Sequence, residues 1–237
     1  TTGRFSYSDP NLQNLTEESE SSQEFKIRKA LIPREDFCWV SIDYDQLEYR
    51  LMLDYAGEDE LIAKVKSGLD IHTATAEMMG VDRKYAKTLN FMLLYGGGAQ
   101  KLADSLNLSL HEAKSLKAKY FSALPKVQHF IRAVTSVAER RTFIYNKYGR
   151  IYYFPNTEFS YTAPNRLIQG TGGDTTKIAM VRVHEFLQGK KSRMILNVHD
   201  ELDFEIHKDE LDIVEPIKKI IENVFPYEKL PLTTSVS

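Results

Sequence analysis

The stretch Phe37–Arg50, FCWVSIDYDQLEYR, decides how this chain is read. Its opening FCWVSID is dominated by β-branched and aromatic residues, the composition of a buried strand. QLEYRLMLDYAG (46–57) then carries the apolar spacing of a helix closed by Gly57. Asp43 and Asp45 therefore stand where a strand turns into a helix, a rigid mount whose helix amides favour negative charge nearby. Far along the chain, SRMILNV, HD and ELDFEIH (192–207) read as two strands joined by a tight turn at His199-Asp200. The expectation is that each stretch buries its first carboxylate, and that Asp43 and Asp200 meet in space and hold two divalent metals. The ordinary alternatives are an N-cap for Asp45 and turn chemistry for Asp200. Against the second, Asp200, Glu201, Asp203 and Glu205 crowd together, and like charges repel unless solvent or a cation screens them.

Between the acidic stretches, DRKYAKTLNFMLLYGGG (82–98) reads as a helix broken by its three glycines. Arg83, Lys87, Phe91 and Tyr95 recur every four residues, each offset by about 40° on one face. Two cations followed by two aromatics along roughly 18 Å would suit a triphosphate with its base. From spacing alone, a half-solvated helix whose aromatics fill a core is the favoured reading. DELIAKVKSG (59–68) and LDIHTATAEMMG (69–80) are two further helices. Asp70 is the expected cap of the second, and His72 an ordinary surface or capping residue in its first turn.

The opening TTGRFSYSDPNLQNL (1–15) is a turn-rich polar segment. Its Arg4, Asn11, Gln13 and Asn14 suit the acceptors of a minor groove. TEESESSQE (16–24) reads as an acidic surface loop, and KIRKALIP (26–33) as a short strand or helix turn. Helices follow over 99–141, with Ser109 as an N-cap and Pro125 opening a helix. A β-hairpin is expected over 142–155 around Tyr148-Gly149. The long helix over 165–190 reads as interrupted at Gly170–Gly173, where another backbone or a nucleic acid could approach, and it sets Asn165 and Gln169 on one face. A final amphipathic helix (208–226) and a last strand (229–237) complete the chain. Mixed strands and helices without βαβ alternation define an α+β class built on an antiparallel sheet.

At 237 residues the chain can bury a sizeable core, and 42% hydrophobic with 27% charged residues is globular composition. No apolar run approaches the ~18 residues of a membrane span, and the first residues lack a signal-peptide core. The single cysteine, Cys38, excludes an internal disulfide and a Cys-based zinc site, so a reducing, cytoplasmic setting is expected. Net charge is only −2, yet it is unevenly spread. Residues 101–150 hold ten Lys/Arg against three Asp/Glu, a net of +7, while 199–230 hold ten Asp/Glu against four Lys, a net of −6. A stretch able to track phosphates coexists with one able to hold metals.

These motifs together resemble one family, the family A DNA polymerases, the class of bacterial DNA polymerase I and many phage replicases. TGRFSYSDPNLQN resembles the family's TGRLSSxxPNLQN primer-template motif, DYDQLEYR its motif A (DYSQIELR), and RKYAKTLNFMLLYG its motif B (RxxxKxxxFxxxYG). VHDE is motif C unchanged, and NRLIQGTGGD resembles NxxxQGTAAD. The match runs through the whole chain in the family's order. It implies a palm over 1–68 and 150–237 with inserted fingers over 69–149. It also implies a template-directed DNA polymerase that adds dNTPs to a primer 3′-hydroxyl by two-metal phosphoryl transfer.

Carried over residue by residue, the resemblance gives Asp43 and Asp200 as ligands of two Mg²⁺ ions, replaceable by Mn²⁺, with the Tyr44 carbonyl adding a ligand and Glu201 just outside them. Arg83 and Lys87 would bind the triphosphate, with Lys87 protonating the departing pyrophosphate. Phe91 and Tyr95 would flank the incoming base, and His72 would touch the phosphates. Gln46 belongs with the nucleotide-binding residues, and Glu48 would be the steric gate against a ribose 2′-hydroxyl. Arg4, Asn11, Gln13, Asn14, Asn165, Gln169 and His199 would line the primer-template minor groove.

The chain departs from the family pattern in several places. Asp45 stands for Ser, Met92 for Gly, and Tyr161 for a DNA-contacting Arg, while the fingers before Arg83 are shorter, as in phage members. The chain starts at the TGR motif and stops before the family's Trp-containing motif. The expectation is therefore a fragment, or one subunit of a split enzyme whose thumb or exonuclease lies on another chain, in the cytoplasm of a bacterial or phage-infected cell. The rival readings are a single-subunit RNA polymerase relative and a DNA-binding remnant without activity. Glu48 opposes the first, and the joint presence of Asp43, Lys87 and Asp200 opposes the second.

Overall fold

The computed structural model describes residues 2–14, 31–224, 227 and 229–237, and here the expected α+β class is what the chain adopts. The elements are β1 (Phe37–Tyr44), α1 (Leu47–Ala56), α2 (Asp59–Lys66), α3 (Ile71–Met79), α4 (Arg83–Leu94), α5 (Ala99–Leu106), α6 (Leu110–Ala123), α7 (Pro125–Arg141), β2 (Phe143–Tyr145), β3 (Ile151–Tyr153), α8 (Ala163–Phe186), β4 (Arg193–Val198), β5 (Glu201–His207), α9 (Val214–Glu222) and β6 (Thr234–Val236). Contacts divide the chain into two compact units. One comprises Gln46–Thr171 and Tyr227–Pro231 with Thr2; the other comprises Gly3–Asp45, Gly172–Pro226 and Leu232–Ser237. In the first unit α1 packs on α4 and α7, and α2 on α3.

The second unit is built on an antiparallel sheet of order β4-β5-β1-β6. Directly opposed residues of antiparallel strands share a face, so the register sorts the side chains. Ile42, Leu202, Phe204 and Ile206 form an apolar side, joined in the unit's core by Ala179, Val183, Ile217 and Ile221. At ~25 cal/mol per Å², burying one such aliphatic side chain stabilises by about 1.5–3 kcal/mol. The other side carries Trp39, Ser41 and Asp43 of β1 against Glu205, Asp203 and Glu201 of β5. The Tyr44 hydroxyl donates to the Ile221 carbonyl at 2.7 Å and ties β1 to α9.

The first unit is mostly helical. α1 ends where Gly57 enters the left-handed region at φ +70°, as the sequence predicts. Asp70 caps α3 by accepting from the Thr73 amide at 3.0 Å, and Ser109 and Glu112 close a capping box at α6. α7 opens on Pro125, and its first-turn amides at Lys126 and Val127 donate to the buried Glu58 carboxylate at 2.8 and 3.2 Å. The expected hairpin is β2 paired with β3 around Gly149 at φ +82°.

Several expectations are corrected. Gln46, left-handed at φ 52°, takes the N-cap position of α1, which the ordinary alternative gave to Asp45. α8 runs unbroken through Gly170–Gly173. The glycines serve close approach instead: a Cβ on Gly170 would fall 1.7 Å from the Tyr152 hydroxyl and 2.9 Å from the Thr2 carbonyl, and one on Gly173 would fall 3.2 Å from Arg4 Cγ. The single helix expected over 208–226 is a 3-10 turn, Lys208–Ile213, followed by α9. The break sits at Glu210, whose carboxylate is drawn to the Lys191 and Ser192 amides at 3.1 and 2.9 Å. The loop expected over 16–24 and residues 26–30 lie outside the described residues.

Candidate functional site

In the second unit, β1 and β5 align Asp43 opposite Glu201, which places Asp43 and Asp200 at the same end of the sheet. Asp200 lies in the turn between β4 and β5, where His199 adopts φ +57°. The Asn197 amide pins that turn, donating to the carbonyls of His199 and Glu201 at 3.1 and 3.0 Å. The expected burial holds in part. Asp200 is half-buried and Glu201 buried, but Asp43, near the end of β1, is exposed although Ser41, Glu201, Asp203 and Glu205 on the same side of the sheet are buried. Crowding by protein atoms raises the Asp200 pKa above the usual carboxylate value, against the opposing pull of its own amide, Arg4 and His199. A dication beside it would offset that cost.

Asp203, Glu205 and Asp45 have partners within the unit. Alternation along β5 puts Asp203 and Glu205 in line with Glu201. Asp203 accepts the Ser41 hydroxyl at 2.6 Å, Ser41 accepts the Trp39 indole N–H at 3.2 Å, and Glu205 is ion-paired with Arg34 at 2.7 Å. Asp45 turns to the C-terminal segment, accepting from the hydroxyls of Thr233 and Ser235 at 2.7 and 2.6 Å. Among the described residues no group of three or more His, Cys, Asp or Glu side chains forms a ready metal cage. Asp43 and Asp200, with the Tyr44 backbone carbonyl adjacent in sequence, are oxygen donors of the kind that a hard dication takes. In the same unit Arg4 lies against Gly173, His199 is exposed, and Asn11 Oδ1 accepts from the Gln13 amide at 3.1 Å ahead of the short turn Leu12–Asn14.

In the first unit, α4 presents the expected series outward. Arg83 and Lys87 are exposed, and Phe91 and Tyr95 are 46% and 47% exposed. The core-filling reading of these aromatics is therefore overturned, because Ala86, Leu89, Met92 and Leu93 fill the core from the opposite face. Met92, where the family has Gly, turns inward beneath Gly97, at which a Cβ would lie 2.3 Å from Met92 Cγ. Arg83 is ion-paired with Asp70 at 2.9 Å and donates to Thr73 Oγ1 at 3.2 Å, whereas Lys87 forms no hydrogen bond or ion pair with the described residues. Gln46 donates to the same Asp70 at 3.3 Å, and its Oε1 is buried. Burial opposes a charge on Asp70, but the Thr73 amide and hydroxyl, Arg83 and Gln46 outweigh it and hold the carboxyl at about 2.

Glu48 is buried in the first turn of α1, and Asn165 and Gln169 are half-buried one turn apart on α8. His72, expected at the surface, is buried with its ring centroid 5.4 Å from that of Phe91. Beneath α4 lie buried polar residues that periodicity did not single out: Tyr49, Thr75, Asn90 and Tyr120. Two signals were available in the sequence, a lone Asn inside the apolar run LNFMLL and a Tyr where motif A has Leu.

Over residues 1–237 the chain matches the family model described as DNA polymerase family A, and it belongs to that family. It is 37% identical to the thermostable DNA polymerase I of Thermus thermophilus and 36% identical to that of Thermus aquaticus, in each case over 99% of this chain and 30% of the relative. DNA polymerase I of Deinococcus radiodurans is 35% identical over 99% of the chain and 26% of the relative. The chain thus spans under a third of the curated relatives it matches. The POL domain of Pol1 from M. smegmatis, solved in complex with DNA primer-template and dNTP, superposes with a TM-score of 0.92 at 30% identity, covering all of this chain and 45% of that one. Among the described residues no helix is long and apolar enough to cross a membrane.

Proposed function

We propose that this chain is the palm (1–68 and 150–237) and fingers (69–149) portion of a DNA-directed DNA polymerase, extending a primer 3′-hydroxyl with dNTPs on a DNA template. Family membership supports the class of reaction. The observation that carries the site is the register of β1 on β5, which sets Asp43 and Asp200 at one end of a rigid sheet. These two carboxylates and the Tyr44 carbonyl would hold two Mg²⁺ ions, which when bound would activate the primer hydroxyl and stabilise the leaving pyrophosphate. Glu201, buried beside Asp43 in register, would shape the field around them.

The chain's own residues do the rest. Lys87 offers an ammonium without an ion pair among the described residues, suited to receive the triphosphate and to give a proton to the departing pyrophosphate. Arg83, held by Asp70, adds a forked donor, and the exposed faces of Phe91 and Tyr95 would flank the base. Glu48 would exclude a ribose 2′-hydroxyl. Arg4, Asn11, Gln13, Asn14, Asn165, Gln169 and His199 would read the minor groove of the primer-template, where acceptors dominate.

Primer extension with Mg²⁺ tests the assignment. Asp43→Ala or Asp200→Ala should abolish extension while primer-template binding persists; residual extension within about tenfold of the parent chain would sink the metal site. Preferential incorporation of NTPs by the unaltered chain would instead place it with RNA-synthesising relatives.

A further inference from the structure

The buried polar residues under α4 form one chain of hydrogen bonds whose donors and acceptors can be assigned in turn. The Thr75 hydroxyl donates to the Ile71 carbonyl one turn back, at 2.8 Å, so its oxygen is left to accept. The Asn90 atom facing it at 3.2 Å must therefore be the amide nitrogen. That same nitrogen lies 3.0 Å from His72 Nδ1. An amide nitrogen donates only, so Nδ1 carries a lone pair and the ring proton sits on Nε2. The other end of Asn90 closes consistently: its Oδ1 accepts the Tyr49 hydroxyl at 2.7 Å, and Tyr49 in turn accepts from Tyr120 at 2.9 Å. Every member is buried, so no water competes for these bonds.

From this geometry we infer that Asn90 is a positioning residue that fixes His72 as the neutral tautomer bearing its proton on Nε2. His72 can then offer a hydrogen-bond donor from Nε2 to a triphosphate. The inference rests on the reading that His72 meets the nucleotide. The charged and titratable groups around the ring favour the neutral state. Burial lowers its pKa; Asp70 at the start of α3 opposes this, Arg83 and Lys87 on α4 reinforce it, and Tyr49 on α1 stays protonated, its own pKa pushed up to about 12. A neutral donor has a purpose here. An imidazolium would add a third cation beside Arg83 and Lys87 and would make nucleotide binding depend on pH near neutrality.

The test has a structural arm and a kinetic arm. In the full chain with ¹⁵N-labelled histidine, the His72 ring, identified by its loss in His72→Gln, should show a protonated Nε2 and a bare Nδ1 at pH 8, above the ordinary His pKa of ~6.5. Asn90→Asp, nearly isosteric, should reverse this. Its carboxylate would accept from Nδ1, convert His72 to imidazolium near neutral pH and introduce a pH-dependent KM for dNTP that the parent lacks. Tyr49→Phe keeps the ring but removes the hydroxyl shared by Asn90 Oδ1 and Tyr120, and should raise the dNTP KM by up to about tenfold with little change in kcat, the scale of one hydrogen bond to a charged group. A protonated Nδ1 in the parent chain, or the same tautomer in Asn90→Asp, overturns the relay. The expected tautomers with an unchanged KM in Tyr49→Phe would leave Asn90's hold on His72 standing and remove His72 from the nucleotide site.

Discussion

Gly170 shows how much one atom matters on α8. A methyl group there would meet the Tyr152 hydroxyl at 1.7 Å and the Thr2 carbonyl at 2.9 Å, neither of which is a flexible chain end. Gly170→Ala should therefore destabilise the chain by about 1–3 kcal/mol despite alanine's better helix propensity, the usual cost of overpacking. Thermal melting checks this, and a Tm equal to or above the parent's would show that the close packing is not there. The sequence shows small residues at 170–173 and suggests that something comes close; what it hides is that the visitors are this chain's own Tyr152, Thr2 and Arg4. The same limit applies to Asp43 and Asp45. Asp43 lies near the end of β1 and Asp45 just beyond it, yet which carboxylate is exposed and which accepts from Thr233 and Ser235 depends on strand register, which no local pattern states.

At the scale of elements, caps and glycine stops were legible because they are local chemistry. Gly57, Gly80, Ser109 and Pro125 end or open elements where the sequence places them, and Gly149 lies in the expected hairpin turn. Helix faces were half legible: the periodicity of Arg83, Lys87, Phe91 and Tyr95 was plain, but which side met the core required the neighbours of α4. Asp70 links these levels, capping α3 while holding Arg83 of α4. Its folded carboxyl is depressed from 3.8 to about 2. A depressed acid contributes stability that is fully present above its unfolded value and is lost as pH falls through the folded one. The parent chain should thus lose stability between about pH 4 and pH 2 more steeply than Asp70→Asn, which keeps a capping oxygen but no charge. Melting curves across that range decide the matter, and identical acid limbs would show that Asp70 is only a cap. The same variant should weaken dNTP binding, because Arg83 loses the partner that orients it.

For the molecule as a whole, a net charge of −2 conceals opposite tendencies that follow the chain. The stretch 101–150, net +7, lies within the first unit, and most of the acidic stretch 199–230 belongs to the second. Overall charge would have argued against a polyanionic partner; its distribution argues for one. Arg140 and Arg141, exposed in the last turn of α7, have no carboxylate partner among the described residues and are suited to phosphates. If they contact the DNA backbone, each neutralised phosphate contributes about −0.9 to the slope of log affinity against log salt. Replacing both with alanine should make that slope shallower by up to about 1.8 and weaken binding alike for unrelated primer-template sequences. Binding isotherms at several salt concentrations measure the slope directly. A slope unchanged by the double substitution would remove the end of α7 from the DNA path and leave the basic stretch as a merely solvated face.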